Sequence, residues 1–395
     1  MNLLSLIKRK EHLFKDDLNN IEKELCEIIC NSSILVIGGA GSIGQAVSIE
    51  ICKRKPHLLH VVDISENNLV ELVRSIRSSI GYFPGEFKTF ALDCGSKEFE
   101  ALSIHQSYDF VFNLSALKHV RSEKDPFTLM RLIQVNIFNT IKTLRLLSSK
   151  NNLKNYFSVS TDKASNPVSM MGASKKIMEN YLHRESKLQK VSMARFANVA
   201  FSDGSLLHGF NQRILKRQPI SAPYDIKRYF ITPQESGELC LISGLKGENR
   251  DIFFPKLDEK LDLIKFSEIA KEYLKSRNYD VEECTSEEEA RNNAEVLISK
   301  NKWPCYFFKS DTSGEKEFEE FYTSDETLDL DKYKSLGVIK NKIDYDENLL
   351  NKFELEVNKL IEKKVWKKND LLKLFEEFLP NFNHIETGKS LDEKM

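Results

Sequence analysis

At 395 residues, with 41% apolar and 30% charged side chains, the chain has the makeup of an ordinary globular protein of one large or two moderate domains. A formal net charge of -1, with Lys and Arg interleaved with acids, argues against a nucleic-acid coat or a membrane-surface protein. The seven cysteines (Cys26, Cys30, Cys52, Cys94, Cys240, Cys284, Cys305) form no C-x-x-C pair and no zinc-type cluster with histidine, which points to reduced thiols and no metal centre.

Met1 to Ile7 run at once into Lys8-Arg9-Lys10, unlike a secretory signal, and no stretch approaches the ~20 apolar residues of a bilayer span. The expectation is a soluble, cytoplasmic chain without membrane insertion. Residues 3–30 alternate apolar and charged groups at helical spacing, predicting one or two amphipathic helices that cap the main domain or pair with another subunit. From Ser33 the pattern changes. Apolar runs at 34–37, 58–63, 88–92, 110–114, 156–160 and 191–196 read as strands, and 42–53, 66–79, 127–148 and 172–188 read as helices between them. This alternation predicts a Rossmann-type, doubly wound parallel sheet. After Ala200 it stops, and a smaller C-terminal α+β part follows, with an acidic helix at 286–300, a strand at 303–308 and helices over 348–378. The expected division is a helical extension (1–30), a dinucleotide-binding domain with the catalytic residues (31–200), a substrate region with an α+β insertion (201–345), and C-terminal helices with a tail (346–395).

Gly38, Gly41 and Gly44 fall between the first strand and its helix, so Gly38, Gly41, Ser42, Ile43 and Gly44 form a turn in which the backbone approaches a pyrophosphate at a helix N-terminus. Asp63 ends the second strand and suits the ribose hydroxyls of NAD; no Arg follows it to favour the 2′-phosphate of NADP. Asp93, after the third strand, is a candidate for the adenine amino group. Open α/β sheets bind ligands at the carboxyl ends of their strands, which turns Lys118 and His119, and then Thr161-Asp162-Lys163, toward the cofactor and its substrate. Met171 and Lys175 have the spacing of the Tyr-x-x-x-Lys signature of short-chain dehydrogenases, with methionine in the tyrosine position.

Thr161-Asp162-Lys163, Asn166-Pro167, Met171…Lys175, Ser115-Ala116-Leu117-Lys118-His119-Val120, Arg195-Phe196-Ala197-Asn198-Val199 and the closing His384-Ile385-Glu386-Thr387-Gly388-Lys389…Leu391-Asp392…Lys394-Met395 together resemble the UDP-N-acetylglucosamine 4,6-dehydratases, extended short-chain dehydrogenases of bacterial surface-glycan synthesis. The sequence departs from that family at Ser115, at Ala197 and over Ala200-Phe201-Ser202-Asp203. The resemblance implies a bound NAD, with Ser115 and Lys175 beside it, and a homo-oligomer. It implies oxidation of the sugar at C4, removal of the C5 proton by Lys163, protonation of the departing C6 hydroxyl by Asp162, and reduction at C6 to a 4-keto-6-deoxy sugar. A thioether cannot take the C4 hydroxyl proton, so Thr161 is the expected acceptor at Met171. Asn136 is expected to fix backbone near the active loop. Asn198, Lys216 and Arg228 are candidates for the nucleotide diphosphate, which attracts cations. Two other readings share these residues: a nucleotide-sugar 4-epimerase or reductase, which needs no elimination acid and base, and a non-catalytic dinucleotide sensor, which has no use for Asp162, Lys163 and Lys175.

Overall fold

A computed structural model describes residues 3–150, 152–256, 262–311, 314, 316–340, 342 and 345–386. Six parallel strands, β1 (Ser33–Ile37), β2 (Leu58–Asp63), β3 (Glu86–Ala91), β4 (Phe110–Asn113), β5 (Asn155–Thr161) and β6 (Val191–Phe196), lie in the order β6-β5-β4-β1-β2-β3. Buried on both faces, β1 and β4 carry almost unbroken apolar runs, as a covered parallel sheet demands, while the equally buried β5 and β6 include polar residues such as Ser158 and Arg195. Strand order reverses between β1 and β4, where Ile37 pairs with Asn113, and that crevice opens at the strands' carboxyl ends.

The sheet extends further than the alternation predicted. Ile252–Pro255 adds in parallel to β6, then Leu336–Ile339 and Leu328–Asp329 add antiparallel, giving a nine-stranded sheet. Side-chain caps set the helix starts: Ser65 for Glu66–Ser79, Ser169 for Met170–Glu185, and a capping box of Thr232 with Glu235 for Pro233–Lys246. The expected long helix at 127–148 is three pieces, Pro126–Ile133, a wider turn at Gln134–Phe138, and Asn139–Ser148. A short helix missed by the apolar pattern, Lys97–His105, starts at the Ser96 cap.

The N-terminal segment caps the main body. Helix Lys15–Cys30 buries Leu18, Leu25 and Ile29, and the buried Arg9 holds Glu235 through two nitrogens at 2.6 Å. A second core, around Phe210, Tyr273 and Trp303, sits under a small parallel sheet of Asp280–Glu283, Lys302–Phe308 and Ile220–Pro223. This is the α+β part. All seven cysteines are free, and Cys30 is exposed. Among the described residues, no helix is long and apolar enough to cross a membrane.

Candidate active site

The glycine turn is shaped by close approach. Gly38 has φ +72°, and a Cβ there would lie 2.6 Å from the backbone nitrogen of Ser115, so only glycine lets the turn rest on the segment after β4. Gly41 stands at the N-cap of helix Ser42–Lys53 without a side-chain cap bond, leaving the first amides, around Ser42, Ile43 and Gly44, to an anion. Asp63 closes β2 and accepts from Ala40 N and from Ser65 N, both at 2.9 Å, one on each oxygen. The spare lone pairs of that carboxylate suit ribose hydroxyls. These features together fit a dinucleotide.

Asp93 is engaged by the protein itself. It accepts from Gly95 N at 2.8 Å and pairs with Arg131 at 2.7 Å; burial pushes its carboxyl up, but these donors hold it below the usual range. Ser115 donates to Asn113 Oδ1 at 2.7 Å. Asn136, inside the wide turn, accepts from Leu117 N (2.9 Å) and donates to Leu117 O (3.0 Å) and Ser174 Oγ (3.0 Å). It therefore fastens the post-β4 segment to the helix that bears Lys175. Beyond it, Lys118 is exposed and His119 is half-buried beside Gly204; burial, Lys118 and Arg121 all lower the His119 ring. The loop after Ala200 reaches back to the glycine turn, where Asp203 N donates to Ser42 Oγ at 2.8 Å.

At the end of β5 the chain tightens into a short turn, Asp162–Ala164. Oδ1 of the buried Asp162 accepts from Thr161 Oγ1 (2.9 Å), Lys163 N (2.9 Å) and Lys163 Nζ (3.1 Å). Thr161, Asp162 and Lys163 are thus one hydrogen-bonded array. Helix Met170–Glu185 packs tightly on it, since a Cβ on Gly172 would stand 2.5 Å from Lys163 O. Met171 is buried, its backbone N–H donating to Glu123 Oε1 at 2.8 Å, and Glu123 in turn meets His384 of the tail at 3.1 Å. Residues 387–395, the rest of the tail motif, lie outside the described residues. Lys175 is buried, donates to Val159 O at 3.0 Å, and is lowered by burial to about 8.

Of the diphosphate candidates, Asn198 presents a buried Nδ2 with no partner among the described residues, a donor suited to a ligand. Arg228 is buried and donates to the carbonyls of Lys227 (2.8 Å), Lys316 (3.0 Å) and Glu317 (3.2 Å). Lys216 is exposed at the end of helix Leu206–Leu215, and no bond among the described residues joins it to the others.

Residues 316–327 form a strap over this ground that motif reading did not find. Ser165 Oγ donates to Glu320 O at 2.6 Å, and the buried Arg195 donates to Phe321 O at 2.8 Å while clamping Glu179 and Glu326. Burial pushes the Glu179 carboxyl up, but Arg195 overrides it and holds it at about 2.

A model of the polysaccharide biosynthesis protein family matches residues 34–341. The chain belongs to that family. It is 29% identical over 248 residues to an uncharacterized membrane protein of Methanocaldococcus jannaschii (61% of this chain, 69% of that one). It is 27% identical over 237 residues to an inverting UDP-N-acetylglucosamine 4,6-dehydratase of Campylobacter jejuni (57% and 67%). Two further polysaccharide biosynthesis proteins are matched over only 50% and 44% of their own length. The solved structure of Pen from Bacillus thuringiensis shares the fold, with a TM-score of 0.64 at 21% identity over 79% of this chain and 88% of that one. Relatives named as UDP-N-acetylglucosamine 4,6-dehydratases and relatives named as UDP-glucose 4-epimerases both match.

Proposed function

We propose that this chain is a nucleotide-sugar 4,6-dehydratase that uses NAD and converts UDP-N-acetylglucosamine, or a close nucleoside-diphosphate N-acetylhexosamine, to the 4-keto-6-deoxy sugar for a surface glycan or nonulosonic acid. The observation that carries this reading is the Thr161–Asp162–Lys163 array, in which an acid, a base and a hydroxyl are already bonded at the strand end beside the switch point. An epimerase has no step for the acid and base.

Gly38, Gly41, Ser42, Ile43, Gly44 and Asp63 would hold the dinucleotide, and Ser115 and Lys175 its nicotinamide end. Bound there, NAD supplies a reversible hydride acceptor for the sugar. Everything else is proton traffic among this chain's own residues. Thr161 passes the C4 hydroxyl proton to the Asp162 carboxylate, along the 2.9 Å bond that already joins them. Asp162, now protonated, returns that proton to the departing C6 hydroxyl, which leaves as water. Lys163, as the free amine, removes the C5 proton that the 4-ketone has acidified and gives it back once C6 is reduced. The protein ends with the protons it began with. Met171 fills the tyrosine position with an apolar side chain, which keeps water away from this exchange. Asn198 and Arg228 would face the diphosphate, with Lys118 and His119 at the sugar.

The test is incubation of the pure protein with UDP-N-acetylglucosamine and mass spectrometry of the product. A nucleotide sugar lighter by one water supports the proposal. An isomer of unchanged mass indicates the epimerase reading, and unchanged sugar with retained NAD the sensor.

A further inference from the structure

Glu319 belongs to no motif, yet the strap carries it into the acid–base centre. It is 3% exposed, and its Oε1 lies 3.8 Å from Lys163 Nζ and 3.9 Å from Arg228 Nη2. Lys163 Nζ is already bonded to Asp162 on its other side. Charges therefore alternate along a line of three buried side chains and the half-buried Lys163: Asp162, Lys163, Glu319, Arg228. The strap that delivers Glu319 is anchored on both flanks, by Arg228 on the carbonyls of Lys316 and Glu317 and by Ser165 and Arg195 on those of Glu320 and Phe321. A buried carboxyl placed this way needs a reason, because taking a charge from water is costly unless it is paired.

We propose that Glu319 is a positioning residue of the acid–base centre, sharing the Lys163 ammonium with Asp162 and tying it, through Arg228, to the diphosphate end of the site. The inference rests on the dehydratase reading for its use in catalysis, but the arrangement it describes is independent of turnover. A base must shed its proton before it can remove another, so the carboxylates that face Lys163 decide how readily it does so. Glu319 itself faces Lys163, Asp162, Arg228 and Lys316; burial and Asp162 raise its carboxyl, against the pull of the three cations. Both of its contacts are longer than a hydrogen bond, so it holds Lys163 by charge without locking it.

The test is competitive trace acetylation of the full-length protein across pH, reading Lys163 by peptide mass spectrometry in wild type, Glu319→Gln and Glu319→Asp. Loss of a carboxylate facing an ammonium releases its proton more easily, so the Gln variant should label Lys163 at lower pH, by roughly one unit, or about tenfold more at a fixed pH below the midpoint. The Asp variant should fall between. An unchanged labelling curve in a Gln variant with wild-type thermal stability would overturn the proposal, whether or not the protein turns over a sugar. With turnover, the acid limb of the kcat–pH profile should move to lower pH in Glu319→Gln, in step with the labelling; a change in KM alone would make Glu319 only an anchor of the strap. Absence of turnover in wild type would count against the dehydratase reading, leaving the labelling result to decide this one.

Discussion

Two regions build this site by opposite means. The glycine turn is assembled locally, with Asp63 Oδ2 reaching Ala40 across 23 residues and both ends leaving adjacent strands. The strap is assembled at long range, with Ser165 reaching Glu320 across 155 residues and Arg195 reaching Phe321 across 126. The turn depends on backbone shape, so its essential residues are those with no side chain. The strap depends on buried side chains brought together from elements far apart in the chain. On the proposed reading, one region receives the dinucleotide and the other brings charge to the acid–base array.

The largest expected effect lies at the acid–base array that the strap covers. Lys163→Met should lower dehydration by about 10²–10⁴-fold while the protein keeps its bound dinucleotide, because Lys163 touches the strap and not the glycine turn. Product mass spectrometry and the absorbance of released NAD check the two halves of that statement, and joint loss of both would erase the distinction between the regions. Thr161→Val removes the hydroxyl bonded to Asp162 and should abolish oxidation at C4. Near-normal turnover in that variant would remove Thr161 from the proton path.

Next come changes that break one region's architecture. Arg195→Met leaves Glu179 and Glu326 buried with the more distant Lys176 Nζ, at 3.8 and 3.7 Å, at a cost of about 3 kcal/mol, readable as a lower urea midpoint. Since Arg195 holds Glu179 at about 2, below the ordinary carboxyl value, its contribution is present at neutral pH and lost as pH falls toward 2. The difference between wild type and the variant should therefore shrink in acid; a constant difference would mean the pair does not stabilise through charge. Gly38→Ala forces a side chain at φ +72° against Ser115, costing roughly 1–3 kcal/mol and weakening dinucleotide retention more than it weakens the strap. The smallest effect belongs to Lys216→Ala, since Lys216 is exposed at a helix end and no bond among the described residues joins it to the array. Its KM should stay within about twofold of wild type, in keeping with the weak effect of exposed charges.

The same contrast explains what could be read from the residue order. Gly38 to Gly44, Asp63 and Thr161-Asp162-Lys163 sit at strand ends, where a short apolar run followed by a particular polar residue reports both element and direction. Asn136 was legible as a loop-fixing residue, although nothing in Gln134-Val135-Asn136 announces the wide turn that aims its amide at Leu117. Glu319 was not legible. It lies among Glu317 and Glu320 in a charge run that reads as solvated surface, and only pairing with Lys163 and Arg228 distinguishes it. Strands Ile252–Pro255 and Leu336–Ile339 were missed for a related reason: they join the sheet beyond β6 without the strand–helix rhythm that marked the first six. Lys216 was picked for its charge, and the fold places it exposed at the end of helix Leu206–Leu215.

A crystal structure with NAD and UDP-N-acetylglucosamine bound would test the central claim most directly. The account requires the hexose between the nicotinamide and the end of β5, with Thr161 Oγ1 near the C4 oxygen and Lys163 Nζ near C5, each at about 3–3.5 Å. A sugar seated elsewhere, with those two side chains still turned to Asp162 and away from the hexose, would contradict it.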